Sequence, residues 1–409
     1  MKMQVYLFQE SSRAAVYGIG TYIRQMIECL SNREDCVLHV VHIGAKVEHF
    51  EKKEMTGYFL YNIPTFCISM QGKKNHYQRN VYYLMRLHGC YMENDSSVFI
   101  FNYSHQLSLI RLLKDQFPNG RFCFVIHYQD WCFDLNGDVM RLRSLIQAER
   151  TALSLSEQGI CDSFYREKEL YRLVDTVICL SEFTSSLLQD IYEISPDKIR
   201  LIPNGLKDER KQLTPKERNA LKKRYHFSER EKIILFVGRL DAIKGIGTLI
   251  QAFHILLRKS KNYRLVIVGD GDFSSCLNRC KADWSKVVFT GRLKKEQLYD
   301  FYQMADIGVM PSMHEQCSYV AIEMMMFGLP MVVSTTTGLK EMVQGKMFGY
   351  TFDMEENSVE AGNELVALIS DVLKRTPAEC LKMKKLSRIT YEEKYSEEAM
   401  REKYLCLIS

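Results

Sequence analysis

Two doubly wound α/β units in tandem are the architecture this sequence predicts, and three observations predict it. Short apolar runs alternate with helical patterns along nearly all of the 409 residues. Those runs are continuous in apolar character, as strands covered on both faces of a parallel sheet must be. A charged stretch from Pro203 to Lys232 divides the chain into two such series. The length also exceeds what one hydrophobic core ordinarily serves, so two domains are expected.

In the first half, strands are predicted at Gln4–Phe8, Leu38–Ile43, Val98–Asn102, Phe122–His127 and Thr176–Ser181. Each gap has room for a crossover helix, and the one from Asp130 to Arg172 carries an extra segment. Between the two series, Thr214-Pro215-Lys216-Glu217 offers an N-cap, a proline at the first helical position and a glutamate three residues after the cap. In the second half, strands are predicted at Ile233–Val237, Arg264–Val268, Val287–Thr290, Ile307–Pro311 and Met331–Ser334. Helices are clearest at Gly247–Lys259 and Tyr319–Phe327, the latter stopped by Gly328 with Pro330 beyond. Tyr391–Leu407 is helical by pattern. The expected domains are 1–205, 206–390 and a C-terminal helix, 391–409, returning to the first domain. Ligands of such units bind beyond the carboxyl ends of the strands, and the cleft between two units is the expected site.

Composition narrows the function. Apolar residues at 46% and charged residues at 26% are globular averages. A net charge of +5 without a concentrated basic face does not call for nucleic acid. No window offers the 18 apolar residues of a spanning helix, and the first apolar run reads as a strand rather than a signal peptide. The 13 cysteines are scattered without a C-x-x-C pair or zinc spacing, so no metal site and a reducing, cytoplasmic compartment are expected. Cys406-Leu-Ile-Ser matches a prenylation box on paper, but four-residue matches arise easily. It reads better as the end of an amphipathic helix with Leu405 and Leu407 facing a core.

Two segments carry chemistry. In Phe236-Val-Gly-Arg-Leu-Asp-Ala-Ile-Lys-Gly, a strand ends at Gly238 and a helix opens after Lys244. Backbone N–H groups and the helix dipole there, with Arg239 and Lys244 five residues apart, suit a diphosphate. In Pro311-Ser-Met-His-Glu-Gln-Cys-Ser-Tyr-Val-Ala-Ile-Glu, Glu315 lies in a polar loop and Glu323 early in the next helix. One carboxylate can take sugar hydroxyls, the other a ribose diol, and the N–H groups between them phosphate oxygens. Either segment alone is weak evidence, since solvated cations and paired glutamates are common on surfaces. Lys73–Tyr91 mixes Lys73, Lys74, Arg79 and Arg86 with Tyr77, Tyr82, Tyr83 and Tyr91. It reads as a solvated helix with an aromatic core side, and its basic face is also suited to an anionic membrane. His105 and His314 read as structural, and Met324–Met326 as core.

Taken together, Gly238-Arg239-Leu240, Lys244-Gly245, Leu265–Gly269, Phe289-Thr290-Gly291, Ile202-Pro203-Asn204-Gly205 and the Glu315/Glu323 pair resemble, in order and spacing, a retaining glycosyltransferase of the GT-B fold, family 4, also called glycosyltransferases group 1. The resemblance implies two Rossmann-like domains facing across a cleft. It implies transfer of a sugar from a nucleoside-diphosphate sugar to an acceptor hydroxyl with retention, without a metal or resident cofactor. Arg239 and Lys244 would bind the diphosphate, Glu323 the ribose, Glu315 the transferred sugar, and the backbone at Ser318, Tyr319 and Val320 phosphate and sugar oxygens. Arg292 and Leu293 would lie against the base. In the first domain His127 would stand near the reacting carbon, and Gly18-Ile19-Gly20-Thr21 would form a glycine-rich loop by the acceptor and phosphate.

The implied partners are a nucleotide-sugar donor and a glycan, lipid-linked or peptide acceptor. The implied role is polysaccharide or glycoconjugate assembly in the cytoplasm, with peripheral contact at the inner membrane face through the first domain. The match departs at Gln316-Cys317-Ser318, where the family carries glycines. It departs also at Leu206-Lys207, inserted before Asp208, and at Gly18-Ile19-Gly20 in place of adjacent glycines. These departures leave the donor open. A nucleotide-sugar-binding protein without transfer activity, or a nucleotide-sugar epimerase, is the alternative.

Overall fold

The computed structural model describes residues 2–11, 18–64, 71–91, 97–343, 345, 347–354 and 359–408, with backbone alone for 71–78 and 359. Its contacts divide the chain into two units. The first holds residues up to Asp134, Asp138–Gly205 and Met400–Ser409. The second holds Leu206–Ala399 and the short segment Leu135–Gly137.

The first unit is built on an eight-stranded sheet. Its strands are β1 (Met3–Glu10), β2 (Cys36–Ala45), β3 (Glu51–Met55), β4 (Tyr58–Pro64), β5 (Ser97–Phe101), β6 (Arg121–Val125), β7 (Thr176–Cys179) and β8 (Ile199–Leu201). They lie in the order β3-β4-β2-β1-β5-β6-β7-β8, and every pair except the β3–β4 hairpin is parallel. Val5, Tyr6, Leu7 and Phe8 at the centre of β1 are fully buried, as helices on both faces require. The five strands predicted from apolar runs are β1, β2, β5, β6 and β7.

The second unit has a six-stranded parallel sheet: β9 (Lys232–Val237), β10 (Tyr263–Val268), β11 (Val287–Gly291), β12 (Ile307–Met310), β13 (Met331–Ser334) and β14 (Gly349–Phe352). The order is β11-β10-β9-β12-β13-β14. Strand order therefore reverses between β9 and β12, the switch point at which doubly wound sheets bind ligands. The segments leaving the carboxyl ends of those two strands are the ones that hold Arg239 and Lys244, and Glu315 and Glu323.

Local signals act as chemistry dictates. Thr214 caps the helix Pro215–Arg224, accepting from the Glu217 N–H at 3.3 Å, while Glu217 accepts from the Thr214 N–H at 2.7 Å. Gly328 takes φ +68° and ends the helix Tyr319–Met326. Met324, Met325 and Met326 are completely buried.

Four expectations are corrected. The pattern at Tyr391–Leu407 is not one helix: a wide turn at Tyr391–Tyr395 precedes the helix Glu397–Ile408. The cause is Leu206, whose N–H donates to Tyr395 O at 3.0 Å and whose carbonyl accepts from the Glu397 N–H at 3.1 Å. Only residues from Met400 onward group with the first unit. The residues facing the core there are Met400, Tyr404 and Ile408, while Leu405 and Leu407 are half-buried. Finally, Gly18 and Gly20 are not in a loop, because they open the helix Gly18–Leu30. The residues before them, 12–17, lie outside the described residues, as do the side chains of Lys73, Lys74 and Tyr77.

Candidate active site

In the second unit, backbone welds the two chemistry-bearing segments together. Gly245 adopts φ +64°, and a Cβ there would sit 1.9 Å from the Pro311 carbonyl oxygen. Beside it the Met313 N–H donates to Ile243 O at 2.8 Å. This close approach brings Lys244 Nζ to 2.6 Å from Glu315 Oε1, both side chains largely buried. Ser312 Oγ donates to the same oxygen at 3.1 Å.

The main chain of Glu315 is fixed by Thr337, which sequence reasoning missed. Thr337 Oγ1 accepts from the Glu315 N–H at 2.9 Å and donates to its carbonyl at 2.6 Å. Neighbouring His314 is held neutral, its pKa lowered to about 4 chiefly by burial.

Arg239 is held by Asp241, 3.1 Å from Nη2 to Oδ2. Its loop is shaped by backbone contact with the next strand: Gly238 N–H donates to Val268 O at 2.9 Å and Leu240 N–H to Asp270 O at 2.7 Å. A Cβ on Gly269 would lie 1.8 Å from Gly238 O, so only glycine fits. Beyond β11, Arg292 is exposed and Leu293 half-buried. Ser318 stands at the N-cap of the helix Tyr319–Met326 without a side-chain capping bond, and Gln316, Cys317 and Ser318 are all buried. A helix start leaves N–H groups without intrahelical partners, an electropositive end suited to anions. The residues that replace the family's glycines thus pack inward and fill the loop.

Glu323 sits one turn into that helix. Tyr302 Oη donates to its Oε2 at 2.7 Å. Burial pushes the carboxyl pKa up to about 7, while Tyr302 and then Lys295 oppose the shift. Tyr302 was also missed; it lies on the preceding helix, Lys295–Met304, with no local signal in sequence.

In the first unit, His127 follows β6 by two residues rather than ending it. Its Nε2 is 2.9 Å from Asn102 Oδ1. Because Asn102 Nδ2 donates to Phe8 O at 2.9 Å, its oxygen faces the imidazole. Nε2 therefore carries the proton and Nδ1 is left as an acceptor. Burial lowers the His127 pKa to about 3, so the ring stays neutral, with Tyr22 edge-on at 4.6 Å. Asn102 was legible as a polar residue closing an apolar run. His105 pairs with Glu10 at the end of β1.

Residues 16–210 match the family described as glycosyltransferase family 4, and residues 217–387 match glycosyl transferases group 1. The chain belongs to this glycosyltransferase family. A relative in Methanocaldococcus jannaschii, an uncharacterized glycosyltransferase, is 30% identical over 258 residues, which are 59% of this chain and 65% of that protein. Alpha-monoglucosyldiacylglycerol synthase of Streptococcus pneumoniae is 28% identical over 214 residues, 51% of this chain and 48% of its own. The chain thus spans about half to two thirds of the length of these curated relatives.

Solved structures resemble it end to end. Sucrose-phosphate synthase from Thermosynechococcus elongatus superposes with a TM-score of 0.76 at 18% identity, covering 99% of this chain and 98% of its own. Anabaena HepE, solved in complex with UDP, gives 0.69 at 14% identity, covering 100% and 99%. The fold is GT-B, with two Rossmann-like units. Among the described residues, no group of His, Cys, Asp and Glu is placed to hold a metal ion, and no helix is long and apolar enough to cross a membrane.

Proposed function

We propose that the protein transfers a glycosyl group from a nucleoside-diphosphate sugar to an acceptor hydroxyl, with retention and without a metal. One observation carries the proposal: a cation and a carboxylate, Lys244 and Glu315, are held 2.6 Å apart beyond the switch point of a parallel sheet. Each charge satisfies the other, which spares either from burial alone. With donor bound, Lys244 and Arg239 take the diphosphate, Glu315 the hydroxyls of the transferred sugar, and Glu323 the ribose diol. The N–H groups at Ser318, Tyr319 and Val320 meet phosphate and sugar oxygens, and Arg292 and Leu293 flank the base. Neutral His127 accepts a hydroxyl through Nδ1, and Gly18 and Gly20 start the helix on the acceptor side.

In the reaction, the acceptor oxygen bonds to the anomeric carbon on the face from which the diphosphate departs. The bond from that carbon to the phosphate oxygen breaks, and the acceptor proton passes to a diphosphate oxygen. The two cations neutralise the charge that grows there, help worth about 3 kcal/mol per donor in preorganised sites. The test is a panel of UDP-, GDP- and ADP-sugars with and without glycan, lipid and peptide acceptors. Free nucleoside diphosphate should appear only with an acceptor, and product NMR should show the donor's anomeric configuration. Isomerised donor without acceptor, or binding without transfer to any acceptor, would overturn the assignment.

The acceptor is proposed to be a glycan or lipid-linked chain, met in the cytoplasm at the inner membrane face. The pneumococcal relative's name refers to a glycosylated diacylglycerol, and one face of the helix Gln71–Leu87 supports contact with a membrane. Arg79, Tyr83, Arg86 and Leu87 are exposed at i, i+4, i+7 and i+8, while Val81, Tyr82 and Met85 face inward. Expected is co-sedimentation with vesicles containing phosphatidylglycerol, lost in Arg79→Glu/Arg86→Glu. Equal sedimentation of both proteins would refute the contact.

A further inference from the structure

We infer that Tyr302 is a positioning residue for the nucleotide: it orients Glu323 and sets the pH below which that carboxylate stops accepting the sugar hydroxyls of a nucleoside diphosphate. The inference rests on the donor-site role proposed for Glu323. Tyr302 is 2% exposed, and its ring stacks on Phe327 at 5.5 Å, so the phenol has little freedom. A buried hydroxyl must find an acceptor, and this one has Glu323 Oε2 at 2.7 Å. A carboxylate has about four lone-pair positions. With one taken by Tyr302, enough remain on the side away from it for a cis-diol.

Among the described residues, the charged and titratable groups facing Glu323 are Tyr302, Tyr299 and Lys295 from the helix Lys295–Met304, and Glu209 from the segment ahead of the helix Pro215–Arg224. Glu209 pairs with Lys295 and accepts from Tyr299 Oη at 3.0 Å. Burial and Glu209 favour the protonated acid, while Tyr302 and then Lys295 favour the carboxylate. Lys295 is 47% exposed and already neutralised by Glu209, so water and salt screen its influence. The buried phenol is the less screened of the two.

The sign follows. Glu323 is ionised above about pH 7 and protonated below it. The diol donates to the ionised form, so nucleotide affinity is full above the midpoint. It falls about tenfold per pH unit well below the midpoint. Removing the phenol O–H disfavours the carboxylate and moves the midpoint upward, by about one pH unit.

The experiment is calorimetric binding of UDP, GDP and ADP to the full chain from pH 5.5 to 8.5, read with whichever binds tightest. Glu323→Gln supplies the baseline from the nucleotide's own phosphate. Tyr302→Phe should raise the midpoint by about one unit while keeping affinity at pH 8.5 within about threefold of wild type. Site-specific 3-fluorotyrosine at 302, a stronger donor, should lower the midpoint, which keeps the test available if the phenylalanine variant does not fold. A Tyr302→Phe effect equal at every pH, or a midpoint unmoved by either change, overturns the inference. If Glu323→Gln itself binds with the wild-type affinity and pH profile, the donor-site role of Glu323 fails as well.

Discussion

Lys244→Ala is expected to reduce turnover by about two to three orders of magnitude, the range seen when one preorganised donor to a developing anion is removed. The loss should fall mainly on kcat, because the charge that Lys244 meets grows as the leaving group departs. A second effect comes from geometry. Glu315 would lose its cation at 2.6 Å and keep only Ser312 Oγ on that oxygen, in a setting where its side chain is 15% exposed. Leaving a largely buried carboxylate short of partners costs about 1–3 kcal/mol, so the melting temperature should fall too. The double variant Lys244→Ala/Glu315→Gln separates the two effects: stability returns, turnover does not. Steady-state kinetics beside thermal melts decide it, and an unchanged kcat in Lys244→Ala would remove this residue from the chemistry.

Gly245→Ala is expected to be among the most damaging single-methyl changes in the second unit. The residue sits at φ +64°, where a side chain costs about 1–3 kcal/mol. The added Cβ would also lie 1.9 Å from Pro311 O, a backbone atom that cannot swing aside. Together these imply a loss of about 3 kcal/mol or more. For a unit of this size the melting temperature should drop by about 6–12 °C. Gly291→Ala is the control. It has a similar φ of +68° but no atom within 4 Å of the new Cβ, so it reports the conformational cost alone. If the two variants melt within 2 °C of each other, the contact between the segments is softer than the geometry states.

Most strands that sequence made legible are buried on both faces and so read as largely apolar runs, while β11, at a sheet edge and half-buried, was legible from its Val-Val-Phe-Thr composition. Of those that escaped, β3, β8 and β14 lack such burial, while β4 is buried only over its second half. β3 is Glu-Lys-Lys-Glu-Met at the edge of its sheet and mostly exposed, so nothing in its composition marks a strand. β8 has three residues, one of them exposed, and β14 lies at the far edge of the second sheet. Backbone pairing makes these strands, and backbone pairing leaves no trace in side-chain pattern. The site divides in the same way. Arg239, Lys244, Glu315 and Glu323 stand in motifs of fixed local spacing. Tyr302 reaches the Glu323 carboxylate and Thr337 the Glu315 main chain from 21 and 22 residues away, through tertiary packing alone. The break in the C-terminal helix was likewise invisible, because its cause, Leu206, lies 185 residues before Tyr391.

The first unit closes with residues from the far end of the chain, and this bears on how the protein can be taken apart. Tyr404 is completely buried, its hydroxyl bonded to that of Tyr22, and the Arg121 guanidinium holds the carbonyls of Leu407 and Ile408. A fragment cut after Gly205 would therefore be an incomplete core with an open apolar seam, prone to self-association rather than to independent folding. Dissection into separately expressed halves has to carry the segment from Met400 to Ile408 along with the first, either by a linker that permutes the chain order or as a peptide added in trans.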